Sequence, residues 1–261
     1  MNVEMPTGAF MLPMSFPSCE RVVSRPAGIL PLADRFIDLW GFTLEAAPLC
    51  FAAVQPWLDI EEQSRAARFV HQEDRGRFVV AHGTLRAVLS RYLGCAPDAV
   101  IFGRRPEGKP FLSMPGLHSP LTFSMAHSHG RVLIAVGKQQ EIGADLEQVR
   151  AEIDVLKLSK RFYSAYEHAL IAGLPAEKRV PEFFRHWVAK EAVLKGQGTG
   201  LQSLHDCELR AVEEGARVSI RVSTGSSMQP NWTVQWLSCG AGWEGAVACQ
   251  GDCLLRDRSG S

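Results

Sequence analysis

No stretch of this chain is apolar for long enough to cross a bilayer, so no membrane partner is expected. Charge of either sign is not in excess: 28 Lys and Arg balance 28 Asp and Glu. That balance argues against a broad nucleic-acid or membrane-binding surface and leaves room for a local basic pocket. Cysteine occurs seven times, an odd count with no C-x-x-C pair and no Cys/His metal spacing. Free thiols in a reducing, cytoplasmic setting are the expectation. Residues Met1 to Leu32 lack a basic segment followed by a compact apolar one and are broken by Pro6, Pro13, Pro17 and Pro26. No signal peptide is read there. The glycine-rich Gly196-Gln197-Gly198-Thr199-Gly200 lacks the lysine and serine of a P-loop and follows a helical run.

What is present is ordinary globular composition: 261 residues, 46% hydrophobic and 21% charged, enough for one large or two small domains. Residues 1–34 read as a poorly ordered extension, rich in Pro, Gly, Ser and Met. Phe36 to Leu44 alternates as a strand. Helices are expected near Ile60 to Val70 and from Asp74 to Leu93, with Gly94 as a stop. Strands follow at Ala99 to Gly103, Leu121 to Met125 and Arg131 to Val136. The order then recurs: a strand at Ala144 to Glu147, helices at Ile153 to Tyr163, Ser164 to Gly173 and Pro181 to Lys195. Four more strands run from Cys207 to Cys249. The recurrence predicts two similar α/β halves, 35–142 and 143–252, followed by a tail, 253–261.

Two acidic motifs carry the chemistry. In Gly143-Ala144-Asp145-Leu146-Glu147 the period of a strand sends Asp145 and Glu147 to one face while Ala144 and Leu146 face a core. In Trp187-Val188-Ala189-Lys190-Glu191-Ala192 a helix brings Glu191 beside Lys195, four residues on. Two strand carboxylates and one helix carboxylate can make an oxygen-rich site for a hard cation such as magnesium. Taken singly, each motif is more readily an exposed strand face or a solvated i,i+4 pair than a metal site.

The order of these motifs resembles the 4'-phosphopantetheinyl transferases, specifically the Sfp type. The string runs through Arg65, Arg68, Asp74-Arg75-Gly76-Arg77-Phe78 and Leu85-Arg86, then Gly108-Lys109-Pro110 and Phe123-Ser124-Met125-Ala126-His127-Ser128. It continues through Gly143 to Glu147, Arg161-Phe162, Phe184 to Ala192, Lys195 and Gly198-Thr199-Gly200-Leu201. The resemblance implies an α/β (α+β) pseudo-dimer, each half a small, mainly antiparallel sheet packed on helices, with the site between them. It implies a monomeric transferase of the holo-acyl-carrier-protein synthase kind. Such an enzyme moves the phosphopantetheine arm of coenzyme A to a serine of an apo acyl or peptidyl carrier protein and releases adenosine 3',5'-bisphosphate.

By the same resemblance Asp145, Glu147 and Glu191 hold Mg²⁺, Lys195 reaches the phosphates, and Glu191 is the candidate acceptor of the serine proton. Arg65, Arg104, Lys109 and His127 surround the nucleotide and its phosphates, with Ser124 on the same strand, and Lys190 orients the carboxylate or meets the carrier. Two departures stand out: Ala126 where the family often has serine, and Glu62 where lysine often appears. The alternatives are a carrier-protein phosphodiesterase and a non-catalytic carrier- or nucleotide-binding module on the same scaffold.

Overall fold

The burial pattern of Phe36–Thr43 explains the architecture. Trp40 and Phe42 pack on one face into a cluster with Phe78, Val88 and Leu89, while Ile37 and Leu39 enter a second cluster on the other. A strand buried on both faces needs a helix on one side and a second sheet on the other. The computed structural model describes residues 11–24, 28–44, 48–113, 120–214, 217–224, 227–228 and 232–260.

In chain order the elements are β1 (Leu12–Pro13), α1 (Glu20–Val23), β2 (Phe36–Thr43), α2 (Pro48–Val54), α3 (Ile60–Ala66) and α4 (Gln72–Leu93). There follow β3 (Phe102–Arg104), β4 (Pro110–Leu112), β5 (Leu121–Ser128), β6 (Arg131–Lys138) and β7 (Ile142–Gln148). Then come α5 (Val155–Phe162), α6 (Ala165–Gly173), α7 (Ala176–Gln197), β8 (Glu208–Glu214), β9 (Arg217–Thr224) and β10 (Ser227–Met228). The chain closes with β11 (Trp232–Ser238), β12 (Trp243–Gln250) and β13 (Leu254–Asp257).

One sheet has the order β13-β2-β6-β5 and the other β1-β11-β12-β7, and within both all pairings are antiparallel except β13 on β2 and β1 on β11. The sheets share an apolar layer built from Ile37, Leu39, Leu133 and Ala135 on one side and Ile142, Ala144, Leu146, Leu237 and Val247 on the other. On the outer face of the first sheet lies α4, and on that of the second lies α7, packed through Val188, Ala189, Ala192 and Val193 against Trp232, Val234 and Ala246. The two helices are each 22 residues long and end on a left-handed glycine, Gly94 and Gly198. The expected α+β fold of two halves, each a mainly antiparallel sheet packed on helices, is the fold found.

The ends depart from expectation. Residues 253–261, read as a tail, contain β13, which edges the first sheet; Arg256 and Arg258 both reach the buried Asp38. Within the segment read as a poorly ordered extension, residues 1–10 and 25–27 lie outside the described residues. Its remainder carries β1, paired with β11 of the second sheet, and the buried Cys19 and Val22. The two ends of the chain thus cross over, each completing the other half's sheet. Helix α7 also begins five residues before Pro181, where a break is the usual reading. In the second turn of a helix a proline forfeits one backbone hydrogen bond, a loss that the packing of Phe183 and Phe184 outweighs. All seven cysteines are free thiols.

Candidate active site

The site is built where β7 meets α7. A Cβ on Gly143 would lie 1.9 Å from the Ala192 carbonyl oxygen, so only glycine allows the strand this close to the helix backbone. With Ala144 and Leu146 turned to the inter-sheet core, the opposite face of β7 presents Asp145 and Glu147 toward α7, as strand alternation requires. Lys195 Nζ donates to Asp145 Oδ1 at 2.6 Å, and Ser128 Oγ donates to Glu147 Oε2 at 2.7 Å. Asp145 Oδ2 and Glu191 Oε1 are buried and have no hydrogen-bond partner.

The electrostatics show how closely these groups are coupled. Burial, with the Asp145 charge beside it, pushes the Glu191 carboxyl up to about 7, against the pull of Lys195. Glu147 is raised for the same two reasons, burial and Asp145. Burial would lower Lys195, but Asp145, Glu191 and Glu147 reverse this and hold its ammonium above the ordinary value. Three carboxylates thus face one lysine, with two of their oxygens buried and unpaired. Such a surplus of hard oxygen donors fits a small divalent cation. Among the described residues no three His, Cys, Asp or Glu side chains already stand in ligating geometry; the Lys195 ammonium takes one Asp145 oxygen instead.

From Lys195 a cleft of about 580 Å³ opens along the seam between the halves. Its walls include all six residues expected to meet the nucleotide: Arg65, Arg104, Lys109, Ser124, His127 and Lys195. His127 opens onto the cleft, yet the surrounding protein and the neighbouring His82, Lys195 and Arg65 push its imidazole down to about 4. Ser124 Oγ accepts from the Ala144 amide at 3.0 Å, tying β5 to β7. Asp145, Glu147 and Glu191 lie beyond the cleft wall, with Lys195 common to both groups.

Several side chains do other work than expected. Lys109 donates to Glu141 Oε2 at 2.6 Å, to the Ile142 carbonyl at 3.3 Å and to the Gly196 carbonyl at 2.5 Å, which uses all three of its donors. It pins the β3–β4 hairpin to the second half. Lys190 neither orients Glu191 nor reaches the surface: it is wholly buried, pairs with Glu167 at 2.6 Å and lies over the Tyr163 ring. Glu167 also accepts from the Leu209 amide, so the pair joins α6, α7 and β8. Ala126 is buried in the inter-sheet core, so it does not face the cleft.

Glu62 does not simply lack the charge of a lysine. It completes a capping box with Asp59 at the start of α3 and accepts hydrogen bonds from Arg86 Nε at 2.8 Å and His82. Reading by motif overlooked His82, which lines the cleft. Its signal was an i,i+4 histidine after Phe78 on α4, too common to single out.

A cleft between two α/β halves that gathers Arg65, Arg104, Lys109 and Lys195 along a wall also holding Asp59, Glu61, Glu62 and Glu107, with a carboxylate cluster behind Lys195, offers cationic contacts to a ligand carrying several phosphates. Comparison with known proteins identifies the family. A family model described as 4'-phosphopantetheinyl transferase superfamily matches residues 141–248, and one described as 4'-phosphopantetheinyl transferase, N-terminal, matches residues 45–140. The chain is 36% identical over 185 residues to 4'-phosphopantetheinyl transferase HetI of Nostoc sp., covering 71% of this chain and 78% of that protein. It is 28% identical over 168 residues to 4'-phosphopantetheinyl transferase Sfp of Bacillus subtilis, covering 64% and 72%. The chain belongs to the 4'-phosphopantetheinyl transferase family.

Proposed function

We propose that this protein transfers the 4'-phosphopantetheine arm of coenzyme A to a serine hydroxyl of an apo acyl or peptidyl carrier protein, in the manner of the Sfp-type enzymes. The observation that carries this reading is the continuity of the cleft, lined by Arg65, Arg104 and His127, with the carboxylate cluster at Asp145 through Lys195. The serine oxygen bonds to the β-phosphorus, the bond to the nucleotide's 5'-phosphate breaks, and adenosine 3',5'-bisphosphate leaves with the electron pair. Asp145, Glu147 and Glu191 are the residues that would hold Mg²⁺, whose chemistry when bound is to neutralise charge on the pyrophosphate.

The protein's own groups do the rest. Arg65, Arg104 and His127 line the wall against which the nucleotide's phosphates lie. Lys195, its ammonium kept charged by Asp145, meets negative charge developing on the leaving phosphate. Glu191 is the acceptor of the serine proton. Lys109 acts by holding the hairpin that forms the wall. A monomer working in the cytoplasm completes the reading.

The test is intact-protein mass spectrometry of an apo carrier incubated with this protein, coenzyme A and Mg²⁺. The carrier gains one phosphopantetheine, and the gain stops on adding EDTA. Asp145→Ala lowers the rate by about a hundredfold or more. Undiminished transfer by Asp145→Ala would overturn the assignment of the cluster. Coenzyme A binding without transfer to any carrier would favour a binding module.

A further inference from the structure

We propose that His82, clamped by Glu62, is a phosphate-binding residue of the cleft, presenting its free Nε2 to the nucleotide. The inference rests on the reading of the cleft as the coenzyme A site.

Three observations carry it. His82 Nδ1 lies 2.7 Å from Glu62 Oε1, and this is the only hydrogen bond His82 makes among the described residues, so no protein group claims Nε2. The ring is also gripped from the side by Phe78, with centroids 4.1 Å apart. Glu62 is itself immobilised by Arg86 and by the Asp59 amide, and Arg86 is fixed in turn by the Val100 carbonyl. The imidazole is thus held on two sides, and its far edge is left to the cleft that His82 and Glu62 both line.

The surroundings say what that edge meets. Arg65 stacks on the same Phe78 ring, and His82, Arg65 and Lys195 are the charges felt by His127. Arg65 and Lys195 line this cleft as cations, beside the carboxylates of Asp59, Glu61, Glu62 and Glu107, and an anion placed between the two is attracted by both. When the imidazole carries both its protons, Nδ1 donates to Glu62 and Nε2 is the donor presented to an anion. Phosphate is the anion this reading supplies, as either the pyrophosphate or the 3'-phosphate of coenzyme A.

Calorimetric titration of the full chain with coenzyme A and with 3'-dephospho-coenzyme A tests this. In His82→Asn the side-chain amide reproduces the bond to Glu62 and removes the edge facing the cleft. The variant is expected to melt with wild type and to bind coenzyme A about ten- to a hundredfold more weakly, the loss of one charge-assisted hydrogen bond. If the loss persists with the dephospho compound, the contact is to the pyrophosphate; if it vanishes, the contact is to the 3'-phosphate. A variant that binds both compounds as wild type does overturns the proposal. Should His82→Asn melt early, His82→Gln, whose amide reaches the position of Nε2, decides the matter. Affinity kept by His82→Gln alone supports the contact, and equal affinity in both variants overturns it. Wild type that binds neither compound overturns the reading of the cleft instead.

Discussion

His127 shows how a side chain expected to bind phosphate shapes stability as well. Its side chain is exposed to the cleft, but the enclosing walls, and then His82, Lys195 and Arg65, push its imidazole down from the usual 6.5 to about 4. Because the folded value is depressed, the unfolded chain binds the proton first. Stability contributed by the neutral ring is whole above about 6.5 and is lost as pH falls toward 4. His127→Gln removes that dependence. Urea unfolding is therefore expected to favour the variant over wild type progressively as pH drops through this window, and a difference that does not change with pH would refute the sign. That Asp145 shares a face with Glu147, and Glu191 with Lys195, was legible because strand and helix periods fix which neighbours lie together. The work of Lys109 was not, because its partners Glu141 and Gly196 lie 32 and 87 positions away. No local period reports such contacts.

At the scale of elements, the site depends on how closely β7 lies against α7, and one residue controls that distance. Gly143→Ala places a methyl carbon within 1.9 Å of the Ala192 carbonyl oxygen and 2.5 Å of the Gly196 amide nitrogen, both backbone atoms that cannot step aside alone. The strand must retreat, at a cost of about 2 kcal/mol or more, carrying Asp145 away from Lys195. Gly76→Ala is the control. It lies within α4 with nothing inside 4 Å of the added carbon, and is expected to stabilise by about 0.5–1 kcal/mol. Chemical denaturation of both variants checks the pair, and equal effects would refute the close-approach argument. Most elements could be read from hydrophobic period and turn residues. The start of α7 could not, since Pro181 is a local stop signal that the cluster of Tyr163, Phe183 and Phe184 overrides. Nor could β13, four residues without a strong period, whose place is set by pairing with β2 more than two hundred positions earlier.

For the whole molecule, the crossing of the chain ends and the shared core make the two halves one folding unit. The layer between the sheets draws Ile37, Leu39 and Leu133 from one half and Ala144, Leu146 and Val247 from the other, so neither half can leave without exposing apolar surface on both. The C-terminal strand is the sharpest probe of this coupling. Asp38 is wholly buried, and its charge is balanced by Arg256 at 2.6 Å and Arg258 at 3.3 Å, with Tyr92 donating to the same carboxylate at 2.8 Å. A chain ending at Cys253 loses both arginines and the strand that covers the edge of β2. Removing one side of a buried ion pair costs about 3–5 kcal/mol, a large part of the roughly 5–15 kcal/mol that holds a typical domain. Four of the six tryptophans (Trp187, Trp232, Trp236 and Trp243) lie in the second half, so fluorescence reports mainly on the part remote from the deletion. If the halves fold together, the truncated chain unfolds at a lower urea midpoint by fluorescence and by far-ultraviolet circular dichroism alike, in one transition. If the fluorescence midpoint stays where it is in the full chain while the dichroism splits into two steps, the halves are independent and the shared core does not couple them. A common shift would show that an active site built at the β5 and β7 edges depends on strands at the opposite edge of each sheet, β13 and β1, through the core the sheets share.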